Sequence, residues 1–196
     1  MVLAPTQGAV IHMDERSRCA GFTLIEVLVV VAIASLLLSL AAPAMSNMVN
    51  SMRLSTAGDS FFSSLLLARS EAIKRNSRAV VCKSASGDAC ITTGGWEQGW
   101  IVFHDANNNA ALDEGEVVLS REQAVSHPIR LTGNGPLVSY VSYTPVGAAS
   151  FASGAFQAGT LTVCTQSSTS VAAREIKISI SGRPRTVRTT VEQCPL

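Results

Sequence analysis

Between Val27 and Met52 the chain carries no Asp, Glu, Lys or Arg, and Val27–Ala42 is almost wholly aliphatic. A charge-free run of this length can cross a bilayer as a helix, which needs about 20 residues. It is too long for an ordinary secretory signal, and Pro43-Ala44-Met45 is a poor small-residue cleavage site. Arg16 and Arg18 precede it and keep the N-terminal side cytoplasmic by the positive-inside rule. The apolar excess is concentrated here, in a chain that is 47% hydrophobic and 15% charged. The formal net charge is +1, so overall charge points to no class of partner. Glu26 is the exception at the head of the run. A carboxylate in such a helix costs about 2–3 kcal/mol even on lenient insertion scales. With no cation nearby in the helix, its partner is expected from elsewhere.

The helix is expected to continue beyond the apolar run. Ser46–Asn76 has few breakers besides Gly58 and places Met48, Met52, Phe61, Leu65, Ala68 and Ala72 near helical spacing. Glu71 precedes Lys74 and Arg75 by three and four residues, which favours a helix, and Lys74-Arg75-Asn76 supplies a stop. Beyond Asn76 short aliphatic runs alternate with Gly, Ser, Asn and Pro clusters. Candidate strands are Ala79–Ser84, Gly99–Phe103, Glu116–Ser120, Val138–Thr144, Thr160–Thr165, Glu175–Ile180 and Thr186–Val191. In Glu175–Ile180, Ile176, Ile178 and Ile180 are expected on one face. Ser150–Gly159 and Gln166–Ala173 read as mobile small-residue loops. The fold class is therefore α+β, with antiparallel sheets wrapping the amphipathic half of a long N-terminal helix.

Of the five cysteines, Cys19 precedes the apolar run and Cys82, Cys90, Cys164 and Cys194 follow it. Four on one side of a membrane segment fit an oxidising compartment, and no C-x-x-C pair suggests zinc. Three pairings are possible. The expected one joins Cys82 to Cys90 around a Ser-Gly-Asp turn, and Cys164 to Cys194.

Gly21-Phe22-Thr23-Leu24-Ile25-Glu26, followed by Val27-Leu28-Val29-Val30-Val31-Ala32-Ile33, resembles the leader junction of type IV prepilins and type II secretion pseudopilins. The resemblance implies cleavage after Gly21 by the prepilin peptidase, N-methylation of Phe22, and a role for Glu26 in filament assembly. Glu26 of one subunit would pair with the new amine at Phe22 of another in the low-dielectric core. The implied organisation is a leader over 1–21, a transmembrane or filament-core helix over 22–45, its amphipathic continuation over 46–76, and a β-rich pilin domain over 77–196. Met13 is a second candidate start. Pro43 lies where pilin helices commonly kink. The expected location is the inner membrane as a single-pass protein, then a pilus whose globular domain faces the periplasm or the exterior. The expected partners are major and minor pilins, bound through the N-terminal helix.

Leu67–Asn76, Val80-Val81-Cys82-Lys83 and Trp96–Phe103, with Asp105 and Asn107, are similar to the GspH/FimT branch of minor pilins and pseudopilins, and most to its FimT members. The similarity is loose across Ser126–Ala173. Some members bind DNA during natural transformation through a C-terminal Gly-Arg-x-Arg motif; others assemble type II secretion pseudopili. This chain has Gly182-Arg183-Pro184-Arg185, then Arg188. Gly182 and Pro184 favour a turn that presents both arginines. From Arg174 to Leu196 the basic residues are Arg174, Lys177, Arg183, Arg185 and Arg188, against Glu175 and Glu192. Arginine suits phosphate because its planar fork stays charged and donates two hydrogen bonds at once. The expected partner is double-stranded DNA, held without sequence preference by Arg183, Arg185 and Arg188 with Lys177 in support. No aromatic residue lies in Arg174–Leu196, so base stacking is not expected there. A solvated basic hairpin, or a cationic edge docking another pilin, are the alternatives.

Asp105, Asn107, Asn109, Asp113 and Glu116 occupy positions one, three, five, nine and twelve of a calcium-loop pattern, but position six is Ala110 where glycine is wanted. An acidic, Asn-rich hairpin explains the same residues, and no metal or other cofactor is assigned. His12 lies in the leader, His104 and His127 lack a nucleophile pattern, and no serine has a G-x-S-x-G setting, so no enzyme is expected.

Overall fold

The computed structural model describes residues 21–167 and 169–195, apart from the side chains at positions 40, 42–44 and 47. The expected leader before Gly21, with Met13, Arg16, Arg18 and Cys19, lies outside the described residues, as does the side chain of Pro43. The chain divides into two units, Met1–Ala44 and Met45–Leu196.

One helix, α1 (Leu24–Arg75), is followed by eight strands: β1 (Arg78–Lys83), β2 (Trp100–Asp105), β3 (Val118–Glu122), β4 (Ile129–Gly133), β5 (Tyr140–Tyr143), β6 (Gly159–Thr165), β7 (Val171–Ile178) and β8 (Pro184–Val191). They form two four-stranded antiparallel sheets, ordered β3-β2-β1-β5 and β4-β6-β7-β8. In the second unit Leu54, Ala57, Phe61, Leu65, Ala68 and Ala72 recur every three or four residues and are buried as one stripe. That stripe shares a core with the inner faces of both sheets, including Val81, Val102, Leu131, Val163 and Ile176. Phe61 anchors it edge-on to two buried indoles, with ring centroids 4.9 Å from Trp96 and 5.2 Å from Trp100. Both indole N–H groups are satisfied: Trp96 donates to the Leu137 carbonyl at 2.8 Å and Trp100 to Ser64 Oγ at 2.9 Å.

The helix stops where its sequence says it should. Asn76 adopts φ 49°, its N–H reaches the Ile73 carbonyl at 3.3 Å, and the Ser77 N–H reaches Ala72 at 3.2 Å. This is the Schellman pair that closes a helix C-terminus. Glu71 meets Arg75 at 2.6 Å and Lys74 at 3.4 Å.

β4 was not among the expected strands. Ile129 and Leu131 are its buried residues, and Pro128 and Gly133 bound a run too short to stand out from loop. Three other expectations need correction. The loop read over Gln166–Ala173 is overrun by β7, which begins at Val171 and buries Ala173. Ile180 does not continue the row of Ile176 and Ile178; it lies in the turn after β7 and is half exposed. The segment read as a mobile loop over Ser150–Gly159 is pinned: Ser150 bridges to Phe156, and buried Gln157 bonds Ser142, Pro136 and Tyr140. Disulfides join Cys82 to Cys90 and Cys164 to Cys194. The second is packed with Ala173, against the face of β7 turned away from the helix.

Candidate functional site

The β7–β8 hairpin turns through Ser179–Arg183, closed by the Gly182 N–H donating to the Ser179 carbonyl at 2.8 Å. Gly182 is buried at φ +74°, and a Cβ there would lie 2.0 Å from the Gly147 carbonyl oxygen. Glycine is required on both counts, because a side chain would be strained at that φ and would strike backbone. The Gly147 carbonyl is itself held by Arg69 of α1, whose Nε donates to it at 2.9 Å. The Ala149 N–H adds a bond to the Ile180 carbonyl at 3.2 Å. The glycine of the Gly-Arg-x-Arg string thus seats the hairpin tip on the turn after β5. The two arginines project beyond it.

Arg183 and Arg185 are exposed. With Lys177, Ile178, Ser179, Ser181 and Pro184 they line an open cleft of about 520 Å³. Pro184 opens β8, an edge strand, and both the first position and the edge are places where a strand tolerates proline. The register puts Arg185 opposite Lys177, so both side chains stand on one face of the sheet. Lys177 is already engaged with Glu175 at 2.9 Å. Arg188 pairs instead with Arg174, an odd number of residues from Arg185, and so stands on the other face. Arg174 is neutralised by Asp59 at 2.9 Å and also bonds the Ser55 carbonyl at 3.2 Å. The fold therefore gathers Arg183, Arg185 and Lys177 and separates Arg188 from them. Among the described residues none of Arg183, Arg185 and Arg188 makes an ion pair.

The Asp105–Glu116 loop spends its oxygens on its own N–H groups. Asp105 accepts from the Asn109 and Ala110 N–H at 3.1 and 2.9 Å, and Glu116 from those of Ala106 and Asp113 at 2.8 and 3.2 Å. Asp113 accepts from the Asn107 and Asn109 amides at 2.7 and 2.6 Å, and these bonds hold its carboxyl below the usual range. Among the described residues no cluster of three or more His, Cys, Asp or Glu is placed to hold a metal ion. Within this loop Asn108 and Ala110 adopt positive φ.

At the other end, Glu26 has a local partner that the sequence reading overlooked. The Glu26 N–H donates to Thr23 Oγ1 at 3.3 Å, and the Thr23 N–H to Glu26 Oε2 at 3.5 Å. This reciprocal capping box was legible as Thr-x-x-Glu. Leu24, Ile25, Val27–Val31, Ile33 and Leu36–Leu38 are exposed, on every side of the helix. Among the described residues no helix is long and apolar enough to cross a membrane.

Residues 57–182 match the family described as type II transport protein GspH, and residues 16–42 match the prokaryotic N-terminal methylation motif. No curated protein matches the chain significantly. The fold is similar to crystal structures of the type IV minor pilin FimU of Pseudomonas aeruginosa (strain PAO1). One form is 16% identical with a TM-score of 0.53, covering 72% of this chain and 95% of that chain. A second crystal form has a TM-score of 0.51 at 16% identity, covering 72% of this chain and 99% of that one. Such identity speaks to fold alone, but the family match spans more than half the chain. The chain belongs to the GspH family and is a type IV pilin-like minor pilin or pseudopilin.

Proposed function

We propose that this subunit is a minor type IV pilin that enters a pilus and holds DNA without sequence preference, serving DNA uptake. The observation that supports it most is the tip of the β7–β8 hairpin, where Arg183 and Arg185 stand exposed beside Lys177 and, among the described residues, make no ion pair. Phosphate on such a tip would gain charge-assisted bonds at little desolvation cost, because the guanidiniums already face water. Few contacts mean weak binding with a shallow salt slope, near one unit per phosphate neutralised. Arg185 and Arg183 carry the contact, Lys177 joins when released from Glu175, and Arg188 reaches a strand that wraps the β8 edge. The test is a duplex mobility shift with the full chain in detergent micelles at low salt. R183A/R185A should abolish the shift; equal binding by wild type and variant refutes the site.

Delivery follows from the N-terminal residues. The charge-free stretch Val27–Met52 anchors the precursor in the inner membrane, and the peptidase cuts after Gly21 and methylates Phe22. Glu26 then serves twice, capping its own helix and pairing with a neighbour's amine during assembly. E26A should still be cleaved yet fail to enter filaments, and E26Q, which keeps much of the cap but no charge, should fail too. Incorporation of E26Q would reduce Glu26 to a capping residue.

A second reading, a structural subunit of a type II secretion pseudopilus, is favoured by the family's description. Deleting the gene separates the two. Lost transformation with intact secretion supports the pilus, and the reverse supports the pseudopilus.

A further inference from the structure

The fold brings the backbone of an aromatic-bearing segment close to the hairpin that carries the basic tip. Ala149 donates its N–H to the Ile180 carbonyl at 3.2 Å and accepts the Gln157 N–H at 3.1 Å. The N–H and C=O of one extended residue point the same way, so Ile180 and Gln157 lie side by side, within about one strand spacing of 5 Å. Phe156, which precedes Gln157 and bridges to Ser150, is 72% exposed. Ile180, two residues from Gly182, is 50% exposed. The exposed Phe156 is therefore the next residue along from a backbone segment that neighbours Ile180 in the turn carrying Arg183. Thr144–Ala158 contains no charged residue, so no carboxylate in that segment opposes a phosphate approaching the ring.

We propose that Phe156 is a stacking platform for an unpaired base of the strand whose phosphates lie on Arg183 and Arg185. The site then prefers single-stranded stretches or frayed ends of DNA over closed duplex. This rests on the DNA reading above. Cations that track the backbone, beside an aromatic face that any base can cover, make the usual pairing for sequence-tolerant single-strand binding. In a closed duplex the bases are already stacked on one another, and the ring gains nothing.

The experiment titrates the full chain, in detergent micelles at low salt, into two fluorescein-labelled probes of equal length: an oligo-dT strand and a blunt duplex. F156A is expected to weaken oligo-dT binding at least about fivefold, in line with the loss of one stacked base. It should change duplex binding less than about twofold. F156W is expected to retain oligo-dT binding, with an emission increment over wild type that oligo-dT quenches and duplex does not. Phe156 is exposed, so neither change should alter folding, and the near-ultraviolet dichroism of buried Trp96 and Trp100 checks this. If R183A/R185A loses both probes while F156A alters neither, stacking is overturned and the DNA reading stands. Equal weakening of both probes by F156A also overturns it. If wild type binds neither probe, both readings fall. If F156A binds both probes normally but drops out of filaments, the ring is a subunit contact and the inference is wrong.

Discussion

Replacing Gly182 by alanine tests whether the hairpin tip is seated as described. At φ +74° an L-residue costs about 1–2 kcal/mol. Its Cβ would also lie 2.0 Å from the Gly147 oxygen and 3.1 Å from the Ala149 nitrogen, both backbone atoms that no rotamer change can move. The tip must lift, which stretches the Ala149–Ile180 bond of 3.2 Å and strains the Arg69–Gly147 bond of 2.9 Å. Losing one neutral and one charge-assisted hydrogen bond costs about 2–3 kcal/mol. The total is about 3–5 kcal/mol. Gly115→Ala is the control, because Gly115 has φ +88° but nothing within 4 Å of its Cβ position. It should show the backbone cost alone, about 1–2 kcal/mol. For a domain of this size about 2–4 °C is lost per kcal/mol, so G182A should melt roughly 10 °C low and G115A roughly 4 °C low. The assay is thermal unfolding of the full chain in micelles, followed through Trp96 and Trp100. G182A should also weaken DNA binding although both arginines remain. Equal melting temperatures for the two variants would refute the close approach of Gly182 to Gly147.

Three further outcomes are expected. Phe61→Ala removes the ring wedged between Trp96 and Trp100 and should destabilise the domain by about 3–5 kcal/mol. Ile73→Ala, on the half-exposed side of the same helix, should stay within about 1 kcal/mol by denaturant titration. Removing Cys164–Cys194, with a sequence separation of 30, should cost more than removing Cys82–Cys90, with a separation of 8. On loop entropy the two are worth about 3.5 and about 2.5 kcal/mol, so C164S/C194S should melt lower than C82S/C90S. The Asp113 carboxyl is held below its usual range by the Asn107 and Asn109 amides, so its ionised form favours the folded state. That contribution is complete above the unfolded pKa and disappears as pH falls through the lower folded value. D113N should flatten the acid limb of the stability curve there, and an unchanged limb would show those bonds to be inconsequential.

Local sequence was enough for features set by neighbours along the chain. The charge-free run, the three-and-four spacing of Phe61, Leu65, Ala68 and Ala72, and the basic stop at Lys74-Arg75-Asn76 each act within a few turns of one helix. Their physics is therefore readable in a window of that length, as is the Thr23–Glu26 capping box that the sequence reading passed over. β1 and β2 were legible as aliphatic runs and β7 through alternation, whereas β4 depends on β6 beside it for its identity and was not.

The candidate site is a different matter. Arginine at 183 and 185 is a fact of sequence. That Arg188 stands on the face opposite Arg185 follows from period-two alternation once both lie in β8, which begins at Pro184 rather than at the expected Thr186. That Gly182 is an anchor as well as a turn residue depends on the Gly147 carbonyl, which arrives from another sheet. The residues around Arg183 give no hint that the segment before Gln157 lies near, since the two meet through the backbone of Ala149. The chain by itself determined where charge and apolar surface lie along its length. Only the tertiary structure decided which of them meet, because contacts between distant segments are set by sheet order and close backbone approach.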